Sequence, residues 1–323
     1  MSSWPRAVAS PDEPAAAIVT MDGARVDAGP ERRLVGVIGS PIAHSLSPLL
    51  HNAAFAALGL GAAWSSQAFE VAPGQAASAL AAMRRADISG LSVTMPHKAD
   101  VATLVDECTE VARRLGAVNC IVNSAGVLVG TNTDGEGFLA SLARGAAFTP
   151  AGKRCVVIGA GGAARAVVLA LADAGASQVA VLNRTPERAA AAAALAGPAG
   201  SLVPAEDDAR LDAVISADLV VNATPFGMAG ASPQGTAPWL VAPDVLHAGQ
   251  VAADLVYAPR PTPWLVGAAA AGARPVDGLG MLVHQAAAQL ELWTGQPAAV
   301  EAMWRAAEAV DPPKPPGAGE TRP

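Results

Sequence analysis

The chain has 323 residues, which exceeds the usual size of one hydrophobic core and favours two domains. It is 52% hydrophobic but only 4% aromatic, and its 21 lysines and arginines against a net charge of -7 form no basic stripe, which excludes a nucleic-acid surface. Cys108, Cys120 and Cys155 are odd in number and lack CxxC or Cys/His spacing, so neither a disulfide framework nor a metal site is expected, and a reducing cytoplasm is the default compartment.

Residues 1–30 carry Pro, Asp, Glu and Gly without periodicity or a secretory leader, and residues 311–323 are similar, so both ends read as disordered tails. No apolar run is long enough for a membrane span. From Arg33 onward short Val/Ile runs alternate with helix-length segments: LVGVIG then PLLHNAAFAALG, SSQAFEV then PGQAASALAAMRRA, ISGLSVT then a helix after Pro96. That rhythm predicts a mostly parallel sheet. CIVNS and VLVGT, on either side of Ala125 and Gly126, break it with a hairpin, and the following helix DGEGFLASLAR marks a boundary. A second α/β series then opens with CVVIGAGGAARAVVLALADAG and continues through QVAVLNR, ADLVVNATP and QVAADLVY. Two long helices, LGMLVHQAAAQLELWTG and PAAVEAMWRAAEAV, close the chain and could pack on either half. The expected fold class is α/β in two domains.

The most specific spacing is Gly159, Gly161 and Ala164, a G-x-G-x-x-A run between an apolar strand and an apolar helix. The first Gly allows the tight turn, the second lets backbone approach a pyrophosphate, and the helix N-terminus favours negative charge. The next strand ends at Asn183, Arg184 and Thr185, where an NAD site would place a carboxylate on the ribose 2′-OH. Arg184 and Arg188 there could instead clamp a 2′-phosphate, so NADP is the expected cofactor.

In the first half, HSLSP sets Ser45 and Ser47 before a helix. Ser47 followed by Pro48 reads as an N-cap; two hydroxyls at a helix N-terminus equally cradle a small anion. In SVTMPHKAD, Thr94 ends a strand and Lys98 enters the next helix in its first turn, where the dipole disfavours a cation; that placement points to use as a proton carrier. His97 beside it reads as solvent-facing. Asn119 opens one strand of the hairpin, and Asp134 starts the helix after the other, as an N-cap or as a carboxylate that orients the amine and shares its proton.

In order, GVIGSPIAHSLSP, SVTMPHK, GAVNCIVN, NTDGEGF, VIGAGGAAR, NRTPER, NATPFGM and DGLGMLVHQAA closely resemble the shikimate dehydrogenase family over about residues 33–305. The resemblance implies a substrate domain over residues 31–133 and 279–310 and an NADP-binding Rossmann domain over 134–278. It implies Lys98 and Asp134 as the catalytic pair, Ser45, Ser47 and Tyr257 on the substrate carboxylate, and Thr94, Asn119, Asp134 and Gln285 on ring hydroxyls. It also puts Gly159, Ala160, Gly161, Gly162, Ala163, Asn183, Arg184, Thr185, Arg188, Thr224, Leu255 and Gly278 at the cofactor. The implied reaction is NADPH-dependent reduction of 3-dehydroshikimate to shikimate, in aromatic amino acid biosynthesis. The implied partner is thus a small molecule, with a homodimer admitted. Two alternatives stay open: a quinate/shikimate dehydrogenase of the same fold, and a sensing module without chemistry.

Overall fold

The computed structural model describes residues 18–19, 25–26, 32–203, 207–228 and 241–310. Apart from β1 (Ile18–Val19) and β2 (Arg25–Val26), which pair antiparallel, the terminal stretches expected to be disordered lie outside the described residues. The chain divides into two compact units, residues 1–133 with 287–303 and residues 134–286 with 304–323.

In the first unit β3 (Arg33–Gly39), α1 (Ser47–Ala57), β4 (Trp64–Glu70), α2 (Ala76–Arg85), β5 (Gly90–Val93) and α3 (Lys98–Leu104) follow in strand–helix alternation. The short β6 (Glu107–Cys108) and α4 (Glu110–Leu115) precede the hairpin of β7 (Cys120–Ser124) and β8 (Val127–Thr131). Sheet order is β4-β3-β5-β7-β8-β6; β3 runs parallel to β4 and β5, whereas β7 is antiparallel to β5 and β8. All four residues of β5 and six of seven in β3 are buried, the pattern of strands covered on both faces. The hairpin turns on Ala125 (φ 51°) and Gly126 (φ 89°), as its sequence predicts.

Two contacts lock this sheet. Asn52 of α1 bonds both backbone groups of Ser66 on edge strand β4, at 2.9 and 2.8 Å, so a side chain occupies pairing groups that an edge leaves open. Trp293 lies against β5 and donates its indole N–H to Ile121 O at 3.0 Å; a Cβ on Gly90 would overlap that indole, so only glycine fits beneath it. Between the two sits His51, fully buried, bonded to Ser66 Oγ at 3.0 Å and edge-on to Trp293 with ring centroids 5.0 Å apart. Burial pushes its imidazole down to about 3.

The second unit opens with α5 (Asp134–Ala146) and continues through β9 (Arg154–Ile158), α6 (Gly162–Asp173), β10 (Gln178–Leu182), α7 (Pro186–Ala193) and β11 (Gly200–Leu202). Then come α8 (Asp207–Ile215), β12 (Leu219–Asn222), β13 (Val251–Asp254), α9 (Pro263–Ala270) and β14 (Arg274–Val276). Its sheet is wholly parallel in the order β11-β10-β9-β12-β13-β14, the doubly wound Rossmann arrangement. The α/β class is therefore as the alternation predicts. Helix α10 (Gly278–Thr294) starts in this unit and ends in the first; the last helix is α11 (Val300–Val310), and from Trp304 it belongs with the second. Among the described residues no helix is long and apolar enough to cross a membrane, and no group of three His, Cys, Asp or Glu could hold a metal.

Candidate active site

Topology brings the predicted residues of the first unit to one sheet edge. Strands β3 and β5 are parallel neighbours, so the segments that follow them, one leading through Ser45 to Ser47 at the start of α1 and the other through Thr94 to Lys98 at the start of α3, leave the sheet side by side. Ser40 N donates to Met95 O and Thr94 N to Ile38 O, both at 2.9 Å, which joins the two loops. Antiparallel β7 starts at that edge, and β8 ends there, so Asn119 and Thr133 join them.

Ser47 is the first residue of α1 and buried, not its N-cap; the cap is Leu46, without a side-chain bond, and Ser45 Oγ instead accepts from Ser47 N at 3.4 Å. The N-cap reading of Ser47 is thus corrected, because the chain enters its helix one residue early. Ile42 N donates to Glu70 Oε2 at 2.9 Å and pins the same loop to the end of β4.

Lys98 is half-buried as the first residue of α3, and its carbonyl accepts from Val118 N at 2.8 Å, which fixes its backbone beside Asn119. His97 is not solvent-facing. It is fully buried, with Nε2 donating to Val71 O at 2.7 Å and Nδ1 enclosed without a partner. The turn before α3 folds back over the end of β4, so the imidazole anchors the backbone of Lys98 instead of meeting water.

Asn119 is 1% exposed, and its amide orientation is dictated by a backbone donor: Oδ1 accepts from Thr133 N at 2.8 Å, and Nδ2 therefore donates to Thr133 Oγ1 at 3.0 Å. Gln289 of α10, fully buried, donates to Asn119 O at 3.2 Å and reaches Thr133 Oγ1 at 3.5 Å. Sequence reasoning missed Gln289. Its signal was a second glutamine, four residues after Gln285, on an otherwise apolar helix face.

In the second unit Asp134 is buried as the first residue of α5; Gln285, also buried, donates to Leu282 O at 2.9 Å. Tyr257 is half-buried in the loop after β13, where burial pushes its phenol up. The predicted cofactor residues gather at the C-terminal ends of β9, β10, β12 and β13 and at the start of α10, where open parallel sheets bind nucleotides. Gly159 has φ 116°, and a Cβ there would come within 3.0 Å of Ala223 O, at the crossing from β9 to β12. Gly278 packs so closely on Leu255 O that it too excludes a side chain.

These residues fit a dinucleotide. Gly161 is the N-cap of α6 and offers no side-chain cap, Ala160 precedes it and Gly162 and Ala163 follow it, and a Cβ on Gly161 or Gly162 would meet only open space, so the helix N–H groups are uncovered. Asn183 Nδ2 donates to Thr185 O at 3.1 Å and shapes the turn that presents Arg184 and Arg188, both exposed, where an NAD site would carry an acid.

The ends of β12 and β13 hold a network that the sequence reading did not anticipate. Thr224 donates to Asn222 Oδ1 from its N at 3.1 Å and its Oγ1 at 2.6 Å, and Asn222 Nδ2 donates to Asp254 Oδ1 at 2.9 Å. Nearby, Arg260, 8% exposed, pairs with Asp277 at 2.9 Å, and Asp277 Oδ1 accepts from Leu279 N at 3.1 Å in the first turn of α10.

The sequence matches the family models described as shikimate dehydrogenase substrate binding domain at residues 37–121, shikimate / quinate 5-dehydrogenase at 141–226, and shikimate 5'-dehydrogenase C-terminal domain at 278–308. It is 48% identical over 276 residues to the shikimate dehydrogenase (NADP(+)) of Moorella thermoacetica, spanning 84% of this chain and 91% of that relative. The chain belongs to the shikimate dehydrogenase family. Among solved shikimate dehydrogenases it resembles one in complex with NADP+ at TM-score 0.78 and 32% identity, covering 92% of this chain and 99% of that one. The Thermus thermophilus shikimate 5-dehydrogenase in complex with NADP(H) and shikimate aligns at TM-score 0.75 and 37% identity, covering 86% and 99%.

Proposed function

We propose that this chain catalyses the reversible NADPH-dependent reduction of 3-dehydroshikimate to shikimate, with residues 31–133 and 279–310 as substrate domain and 134–278 as nucleotide domain. One observation supports the reading: Lys98 opens α3 with its carbonyl bonded to Val118 N at 2.8 Å, so its backbone adjoins the residue before Asn119, whose buried amide is paired with Thr133.

In this reading Ser45, Ser47 and Tyr257 hold the substrate carboxylate, and Thr94, Asn119, Asp134 and Gln285 hold ring hydroxyls. Such a site discriminates strongly, because an analogue lacking one hydroxyl leaves a buried polar group unpaired. Bound NADPH supplies the hydride. Lys98, as an ammonium, gives its proton to the carbonyl oxygen as that oxygen becomes a hydroxyl, and takes it back in the oxidative direction. Asp134 orients the amine and shares the proton. Gly159 through Ala163 take the pyrophosphate, Asn183, Arg184, Thr185 and Arg188 the ribose 2′-phosphate, and Thr224, Leu255 and Gly278 the nicotinamide end.

The absence of an acidic residue at 183 or 184 favours shikimate with NADP over a quinate enzyme with NAD, and retention of both Lys98 and Asp134 favours an enzyme over a sensor. The proposed setting is the cytoplasm, supported by three free cysteines, with no nucleic-acid partner and with a homodimer as the oligomer to test by sedimentation. The deciding experiment assays oxidation of shikimate and quinate with NADP+ and with NAD+, beside Lys98→Ala. The expected outcome is shikimate turnover with NADP+, lost by several decades, on the order of 10³-fold, in a variant that still binds shikimate. Quinate turnover with NAD+ alone overturns the assignment.

A further inference from the structure

The second unit contains a buried carboxylate that the mechanism above does not use. Asp254, at the end of β13, is 1% exposed and has no cationic partner among the described residues. Both its oxygens are hydrogen-bonded instead: Oδ1 accepts from Asn222 Nδ2 at 2.9 Å and from Val256 N at 3.0 Å, and Oδ2 accepts from Thr262 Oγ1 at 2.7 Å. Those donors come from three segments: the end of β12, the turn after β13, and the N-cap of α9.

An uncompensated carboxylate in such a place is costly, and burial pushes it up to about 6, above the ordinary 3.8, despite its three donors. Both arms end on one acceptor atom. Oδ1 makes Asn222 present its Nδ2 to Asp254, and hence its Oδ1 to Thr224, whose N and Oγ1 both donate there. The bond to Val256 N fixes the turn between Leu255, whose carbonyl touches Gly278, and Tyr257.

We propose that Asp254 is a positioning residue that sets Thr224 for the nucleotide through Asn222 and sets Tyr257 for the substrate carboxylate through the Val256 turn. It touches neither ligand. The inference rests on the shikimate dehydrogenase reading for the roles of Thr224 and Tyr257.

The test uses the full chain with Asp254→Leu, and reads the NADP+ dissociation constant by calorimetry, KM and kcat for shikimate, and the urea midpoint. With the shared acceptor gone from both arms, the NADP+ constant and the shikimate KM should each rise about tenfold, while kcat falls far less. Asp254→Asn keeps that acceptor, its Oδ1 taking both donors while Nδ2 turns to Thr262 Oγ1, and should leave both constants within about twofold of wild type. Thr262→Val removes the α9 contact and the cap on Leu265 N and should likewise leave both constants within about twofold. Binding constants unchanged in a folded Asp254→Leu overturn the proposal, as does an Asp254→Asn or Thr262→Val variant that matches it, since that would mean general loosening. Should Asp254→Leu fail to fold, Asn222→Ala severs the Thr224 arm alone; a weakened NADP+ constant with an unchanged shikimate KM is then expected, and no weakening refutes it. Wild-type protein that binds NADP+ but does not oxidise shikimate sinks the functional reading and leaves the nucleotide arm of this one measurable.

Discussion

Acid sensitivity of this protein should trace to one histidine that takes no part in catalysis. His51 is fully buried between Ser66 and Trp293, and its folded-state value lies at about 3 against an ordinary 6.5. Above pH 6.5 the imidazole is neutral in both folded and unfolded chains, and its contribution to stability is fully present. As pH falls below 6.5, the unfolded chain takes up a proton that the folded one refuses, so stability drains away at about 1.4 kcal/mol per pH unit until about pH 3. The full window is worth roughly 5 kcal/mol, comparable with the whole stability of many domains. His51→Asn keeps a polar atom within reach of Ser66 and removes the titration. At pH 7.5 the variant should be less stable by about 1–3 kcal/mol, through the lost ring packing. By pH 4.5 that gap should shrink by about 3 kcal/mol, or reverse. Urea unfolding of both proteins between pH 7.5 and 4.5 measures the difference, in which every other titrating group cancels. Parallel stability curves across that range would refute the reasoning.

Asp254 should act in the opposite sense. Its folded value, about 6, is above the ordinary 3.8, so its stabilising contribution is complete below pH 3.8 and lost as pH rises through about 6. Relative to wild type, Asp254→Asn should therefore gain up to about 3 kcal/mol between pH 4 and pH 6.5 in the same urea series; a flat difference contradicts this. Gly90→Ala should push the Trp293 indole off β5 and break its bond to Ile121 O, costing about 3 kcal/mol, read as a lowered urea midpoint. Gln289→Ala should unfasten Thr133 and Asn119, raising the shikimate KM about tenfold while the NADP+ dissociation constant holds; equal KM values would show that Gln289 only fills space.

What could be read from the sequence was whatever depends on neighbours along the chain. Strand–helix alternation gave the α/β class, the Ala125–Gly126 turn gave the hairpin, and Gly159, Gly161 and Ala164 between a strand and a helix gave the nucleotide loop, because each rests on local dihedral freedom or local periodicity. Elements of two or three residues, such as β6, β11 and β14, have no periodicity to show and went unread. Residues whose meaning lies across the chain were also out of reach. His97 reads as a surface residue beside Lys98 until the turn before α3 closes over Val71. Gln289 reaches Asn119 across 170 positions, and Asp254 meets Asn222 across 32. A hydrogen bond between such residues leaves no mark on local spacing, since only the packed sheet brings their atoms within 3 Å or so, and only burial makes the orientation of a single amide or carboxylate matter.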